Sequence, residues 1–515
     1  MKNIYINFVL IFLFSVRIIA QKGYDIKFKI NGCKDTTMFL AKYYFDQTSI
    51  IDSCKHVKNG NIQFKGSLAL DRGVYILVNQ DKARYIDFII NDNQNFTING
   101  EYTNLMASLK CIKSKENDEL FSYAKFMMAR DKDFGTAISQ IKGKSKADSL
   151  IIVNEKQKVI AEEIKKFDKE FLMRNKGNFV FDFMNLRTEK YPETIPNASN
   201  GRPDSIYQYY YYKNHFFDGV NFKDERIMFT PFFGEKIKRF FDQVLVQQPD
   251  SIIRELDKIL SQCLPGTLVF NTLIGHFTYK YETNKALSFD QFGNCNTFEK
   301  VFVYLADNYI CNGKAEGIYD DATILKIKDR VNILRKLLPG QKVTDLQMID
   351  TLNGKQVLNM GFDTTKTSAG ATFLYNKHAG KLSTMYKTLY EINAKYTILV
   401  FWAADCGHCQ KEVPKLYKDL QSIKGSVDFK VYAVQTKEEL FNDWKKFISE
   451  NNLKDFIHVF DPVHINNIKE TFDITGTPVI FLLDKDKKVK AKKLAADQVV
   501  DIIKNIEIAE KNLIK

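Results

Sequence analysis

The sequence predicts a multidomain chain: an N-terminal antiparallel β-sandwich, an α-helical middle domain and a C-terminal three-layer α/β/α domain. Three observations predict it. Short alternating apolar–polar runs separated by turn residues fill positions 21–109, and the apolar spacing becomes helical over 110–336. Strand-like and helix-like segments then alternate over 337–515. At 515 residues the chain exceeds one ordinary domain. With 45 % hydrophobic and 13 % aromatic residues it can build packed cores, which excludes a disordered class. The net charge of +13 is spread along the chain and gathers in no basic block. That favours solubility and argues against a nucleic-acid partner.

Residues 1–20 are shaped like a secretory signal peptide. Lys2 is followed by a nearly unbroken apolar stretch over 4–16, and Ala20 precedes Gln21, where polar sequence begins. Arg17 and Ile18 fit the cleavage site imperfectly, and an uncleaved anchor is the alternative. No cysteine follows the apolar run directly, which argues against a lipid anchor there. No later segment approaches the ~20 apolar residues of a membrane span. The mature chain is expected in the periplasm or cell envelope, soluble or loosely membrane-associated.

In the first region Ile26, Phe28 and Ile30 alternate with Asp25, Lys27 and Lys29 before an Asn31-Gly32 turn. Asn59-Gly60 precedes Ile62-Gln63-Phe64-Lys65, and strand-like runs follow at 74–78, 86–90 and 96–98. The Asp and Asn clusters between them lack the spacing of a calcium loop and serve as turn residues. From about 117, Leu120, Phe121, Ala124 and Met127 recur at helical spacing, as do Leu150, Val153, Ile160, Ile164, Phe167 and Phe171. Pro192, Pro196, Gly201 and Pro203 mark a loop, and Asp204-Ser205 and Pro249-Asp250-Ser251 are helix-capping sequences. Aromatic residues gather at Tyr207, Tyr209 to Tyr212, Phe216, Phe217, Phe232 and Phe233. They could line a peptide or glycan groove, but core packing is the favoured reading.

After Gly340 the segments read as a strand at 398–402, a helix at 406–420, a strand at 429–434 and a helix at 438–450. A strand at 456–460, a helix at 465–472, a hairpin of 479–483 with 488–494 and a helix from Asp497 complete a sheet of parallel strands linked by crossover helices and finished by a hairpin. Cys33, Cys54, Cys111, Cys263, Cys295 and Cys311 are scattered, and the sequence does not pair them. Cys33 and Cys54 share one small β region and could meet, although an unpaired buried thiol is favoured for all six.

The chemistry is concentrated in Cys406-Gly407-His408-Cys409, between a buried strand and a helix. A helix N-terminus offers partial positive charge and unpaired N–H groups, which favour a thiolate at Cys406. Cys409, one turn on, is near enough to attack a mixed disulfide formed by Cys406. The pattern points to dithiol–disulfide exchange, with the Cys406–Cys409 pair standing in for a cofactor. Asp405 disfavours the thiolate, whereas a protonated His408 favours it. Other chemistries lack their residues. A structural zinc site needs four ligands, and there is no second Cys-x-x-Cys; His458 and His464 lie too far along to be assigned, so no metal is expected. Gln410 stands where haem attachment needs histidine, and no Ser/His/Asp triad or phosphate-binding glycine loop is present.

The stretch Phe401-Trp402-Ala403-Ala404-Asp405-Cys406, the Cys-x-x-Cys pair, Glu412, Pro414 and Gly476-Thr477-Pro478 together resemble the thioredoxin superfamily, nearest its exported TlpA/ResA-like branch. Residues 340–354 look like the N-terminal hairpin of that branch. The resemblance implies a thioredoxin fold over 337–515 and a cis Thr477-Pro478 bond beside the dithiol that leaves the Thr477 backbone to meet substrate. An ordinary trans proline opening a strand is the alternative. Val400 stands where thioredoxin keeps a buried aspartate. The resemblance implies Glu412 as the substitute proton partner, while spacing alone fits a solvated surface glutamate equally well. Gly407 and His408 form a dipeptide of isomerase type, which implies a higher potential than that of thioredoxin.

Upstream, residues 22–109 are similar to the DUF4369-type sandwich of Bacteroidetes proteins. Residues 110–336 resemble their DUF5106 region through Tyr212-Lys213-Asn214-His215-Phe216-Phe217-Asp218 and Phe222-Lys223-Asp224-Glu225-Arg226. The expected organisation is a leader at 1–20, a sandwich at 21–109, a helical domain at 110–336 and a thioredoxin-like domain at 337–515. The expected function is an exported thiol-disulfide oxidoreductase, a reductase before an oxidant or isomerase. An envelope binding or scaffold protein is the alternative of another class. The implied partners are protein thiols and disulfides of the envelope and a membrane thiol-redox electron donor; oligomeric state is left open.

Overall fold

The computed structural model describes residues 23–143, 145–290, 295–365 and 367–513; the expected leader at 1–20 lies outside them. The chain divides into two compact units, one of residues up to Val246 with Asp257–Thr272, the other of Gln247–Leu256 with Leu273–Lys515.

In the first unit, period-2 alternation builds a sandwich. Strand Tyr24–Asn31 turns Ile26, Phe28 and Ile30 inward and Lys27 and Lys29 outward. It pairs antiparallel with Asn61–Gly66 and parallel with Asn95–Glu101, which continues to Lys110–Ile112. The second sheet runs Gln47–Cys54, Met38–Tyr44, Gly73–Asn79 and Arg84–Ile90, all antiparallel. Phe28, Phe64, Tyr75, Phe88 and Ile98 fill the core between the sheets. The parallel pairing of Tyr24–Asn31 with Asn95–Glu101 departs from a wholly antiparallel sandwich, and alternation is blind to it because the period is 2 in either direction.

Strand Gly73–Asn79 is buried on both faces because helices cover the second sheet. Val74, Ile76 and Val78 pack with Tyr123, Phe171, Phe179 and Phe183. Helices Lys115–Gln140 and Lys146–Arg174 begin at Ser114 and Ser145, whose side chains accept from Asn117 N–H and Asp148 N–H. Among the middle aromatics, Phe216, Phe233, Phe240 and Phe241 are buried core, whereas Tyr207 and Tyr210 remain 42 % and 54 % exposed. The middle of the chain is helical, and its helices are shared between the two compact units. Its earlier part covers the sandwich, and the residues from 273 onward belong to the second unit. The expected division at 110 and 336 follows changes of period, whereas the compact units follow which surface each apolar helix face packs against.

The second unit holds a seven-stranded sheet in the order Tyr386–Thr388, Gln347–Asp350, Ile457–Phe460, Phe429–Gln435, Tyr396–Trp402, Val479–Asp484, Val489–Lys492. The central strand Tyr396–Trp402 runs parallel to Phe429–Gln435 and antiparallel to Val479–Asp484. All its residues are buried. Ile398, Val400 and Trp402 enter one core and Leu399 and Phe401 the other, so the unbroken apolar run reflects a sheet covered on both faces. Trp402→Ala is expected to cost this unit about 3–5 kcal/mol. Urea unfolding followed through Trp444, the chain's other tryptophan, reads the loss. A loss below about 1 kcal/mol would contradict this packing.

Two local expectations change. Strand Gln347–Asp350 does pair antiparallel, but with Tyr386–Thr388, and helix Ser368–Leu382 stands between them. The strand ends where Asp350 Oδ1 accepts from Leu352 N–H and Asn353 N–H. The helix expected at 465–472 shortens to Ile468–Thr471, because Asn467 enters with φ +40° and the Asp461 carboxylate holds Asn466 N–H. Among the described residues no helix is long and apolar enough to cross a membrane.

Candidate active site at a strand–helix junction

The central strand ends at Trp402, whose carbonyl accepts from Thr436 N–H (2.9 Å). A short turn follows, and regular helix spans Cys409–Gln421, three residues later than the spacing predicts. Cys406 thus precedes the helix and acts in place of a capping side chain. Its carbonyl accepts from Gln410 N–H (3.0 Å), and its Sγ accepts from Cys409 N–H (3.4 Å). An otherwise unpaired helix N–H therefore points at the sulfur, a better position for a thiolate than one inside the helix.

The loop before strand Val479–Asp484 completes the site. Thr477-Pro478 is a cis peptide bond, and the Cys406 thiol donates to the Thr477 carbonyl oxygen (3.2 Å). Both cysteines carry free thiols, and their surroundings separate them. Burial pushes the Cys406 thiol up, but hydrogen bonding by the Thr477 side chain, Cys409 and the His408 backbone outweighs it, leaving Cys406 below the ordinary cysteine value. Cys409 is fully buried, and burial together with the hydrogen bond to Cys406 pushes its thiol up to about 12. A half-exposed thiol that ionises readily beside a buried one that does not is an arrangement suited to attack followed by resolution.

The other predicted residues take varied places. Gly407 and His408 are exposed, and a Cβ built on Gly407 meets nothing within 4 Å, so the surface around Cys406 stays open. The Asp405 carboxylate pairs with Lys437. The Glu412 carboxylate accepts from Ala496 N–H (3.2 Å), and no described hydrogen bond links it to either sulfur. Pro414 lies within the helix, and Val400 is buried. Among the described residues no group of His, Cys, Asp and Glu is placed to hold a metal ion.

Lys437 is the residue that sequence reasoning missed. Trp402 lies opposite Gln435 in the parallel ladder, so residues just past the two strand ends meet. Register carries that signal, and no local pattern does. Lys437 is drawn above the usual lysine value by its hydrogen bond to Asp405, with a smaller contribution from Cys406. Lys437→Met is expected to move the pH midpoint of Cys406 alkylation upward, because Asp405 would then face the thiolate without its cation. The difference should fade at high salt, and an unchanged midpoint at low salt would contradict the role.

Residues 393–489 match a family model described as thioredoxin-like, and residues 24–120 match the model of a domain of unknown function, DUF4369. A solved domain of a possible thiol-disulfide isomerase from Cytophaga hutchinsonii is 31 % identical, covering 34 % of this chain and 97 % of that one, with a TM-score of 0.26. A thiol:disulfide interchange protein from Bacteroides sp. is 25 % identical over 33 % of this chain and 89 % of its own, with a TM-score of 0.23. A thioredoxin-like protein from Bacteroides caccae is 17 % identical over 60 % and 96 %, with a TM-score of 0.31. No curated protein matches the chain. The DUF5106 resemblance of 110–336 rests on its sequence motifs alone. The C-terminal part of this chain belongs to the thioredoxin-like family, and its N-terminal sandwich is a DUF4369 domain.

Proposed function

We propose that this chain is an exported thiol-disulfide oxidoreductase that reduces disulfides of envelope proteins through Cys406 and Cys409. The observation that carries the reading is the asymmetry of the pair: Cys406 half-exposed and lowered, Cys409 buried and raised. The Cys406 thiolate attacks one sulfur of a substrate disulfide. The substrate S–S bond breaks, a mixed disulfide forms, and the first substrate sulfur leaves as a thiolate that takes up a proton. Cys409 then loses its proton and attacks Cys406 Sγ, releasing the second substrate thiol. The chain ends with a Cys406–Cys409 disulfide and the substrate has gained two electrons. A membrane dithiol donor returns the pair to its reduced form.

Glu412 is the carboxylate proposed to take the Cys409 proton, since Val400 supplies none. Its Oε2 is held by Ala496, and its Oε1 makes none of the described hydrogen bonds. Thr477 and Pro478 are the proposed substrate contact, and Asp405, Gly407 and His408 the proposed modifiers of Cys406.

One observation favours the isomerase or oxidant direction. Lowering the Cys406 pKa stabilises the reduced pair and makes the disulfide more oxidising. Reduction of insulin disulfides by the full chain tests the reaction, and no turnover with an added dithiol would sink it. Alkylation trapping in cells tests direction, with a dithiol expected for a reductase and a disulfide for an oxidant.

A further inference from the structure

A cluster of charged side chains is buried in the second unit, apart from the thiols. Glu299, on helix Glu299–Leu305, is 5 % exposed and pairs with Lys492 and Lys493. Lys493 Nζ lies 2.9 Å from Glu299 Oε1 and 2.9 Å from Asp473 Oδ2. Asp473, also 5 % exposed, pairs with Arg330 on helix Asp321–Arg335. Lys492 is 1 % exposed at the end of strand Val489–Lys492. Removing such charges from water is costly, and the loss of one partner leaves the other stranded. The cluster therefore has few alternative arrangements that keep every charge paired.

Its position gives it a use. Asp473 is four residues before Thr477, in the segment that joins helix Ile468–Thr471 to strand Val479–Asp484. Asp473 has φ +55°, and Ile474 N–H reaches back to the Lys469 carbonyl (2.9 Å), so the chain turns sharply at the charged side chain. Lys492 lies opposite Phe481 in the strand pair that continues from Pro478. The cluster is thus tied to the chain before this loop, at Asp473, and after it, opposite Phe481. Its outer members, Glu299 and Arg330, come from helices upstream of the thioredoxin-like match at 393–489.

We propose that Asp473 is a positioning residue, and that Arg330, Glu299 and Lys493 hold it so that Thr477 stays against Cys406 Sγ. The helical segment around Glu299 and Arg330 then belongs to the exchange machinery, acting through the loop and never on the substrate itself. This rests on the oxidoreductase reading above and extends it to residues outside the matched domain.

The test uses the full chain carrying Asp473→Asn, Arg330→Met or Arg330→Lys. One readout is the pH midpoint of Cys406 carboxymethylation, followed on the Cys406 peptide by mass spectrometry. The other is KM and kcat with insulin as the probe disulfide. Asp473→Asn and Arg330→Met are expected to raise the Cys406 midpoint and to raise KM by about 3- to 10-fold, with a smaller change in kcat. Arg330→Lys should lie nearer the parent chain. Should Asp473→Asn fail to fold, Arg330→Met decides, because Arg330 is partly exposed and its loss leaves Asp473 paired with Lys493. A folded Arg330→Met chain with the parent midpoint and KM would overturn the proposal. The alkylation readout needs no substrate, so a parent chain inactive on insulin would defeat the function reading alone.

Discussion

Replacing Cys406 with alanine is expected to lower insulin disulfide reduction by at least about 10³-fold, the scale of losing a covalent nucleophile. Cys409→Ala should fail differently. It keeps the attacking thiolate, so it forms the mixed disulfide and then stalls, and a covalent adduct joined through Cys406 should accumulate with a disulfide substrate. The two variants divide one reaction at its intermediate. Cys406 is partly open to a partner and accepts Cys409 N–H, whereas Cys409 is closed off and can reach only what Cys406 already holds. Parent-level activity in Cys406→Ala would remove the nucleophile assignment, and the absence of any adduct with Cys409→Ala would remove the resolving role.

Iodoacetamide at pH 7 is expected to label Cys406 and spare Cys409. An ordinary cysteine, with a pKa near 8.5, is roughly 3 % thiolate at that pH. Cys406 is lowered, so its fraction is greater and its labelling saturates at a lower pH than that of a free cysteine. Cys409, pushed up to about 12, has about one thiolate in 10⁵ molecules at pH 7, and burial restricts access as well. The contrast should exceed about 10³-fold. Peptide mapping of briefly alkylated reduced protein measures it, and comparable labelling of both sulfurs would contradict the electrostatics described above.

Much of the fold can be read along the chain. Ile26, Phe28 and Ile30 alternate because one sandwich face is dry, and 398–402 is apolar throughout because both faces of its sheet are covered. What the sequence hides is mostly long-range. Nothing local says that 24–31 runs parallel to 95–101, or that 347–350 waits until 386 for its partner. The division of the helical stretch between two units is hidden for the same reason, since periodicity names an apolar face but not the surface that covers it. At the site, Cys406, Cys409 and Thr477 can be found from motifs whose spacing or chemistry is specific. Lys437 reaches Asp405 through strand register, and Arg330 reaches Asp473 across 143 positions. Such contacts leave no periodic trace. Glu412 shows the reverse limit: its helical spacing is compatible with a place beside Cys409, yet its described partner is the backbone of Ala496.

The remaining cysteines bear on a hazard specific to this chemistry. A protein that makes mixed disulfides carries, on its own chain, other sulfurs as potential targets. Cys111, Cys263 and Cys295 are buried, and burial pushes each thiol up to about 12; Cys33 and Cys311 are raised by the same cause. A thiol that seldom ionises is a poor nucleophile toward an oxidised Cys406–Cys409 pair. Desolvation thus serves as chemical insulation for these five thiols, leaving them poor competitors of Cys406. It also makes partial unfolding self-damaging, because a core that opens would release a thiol able to compete for the Cys406–Cys409 pair.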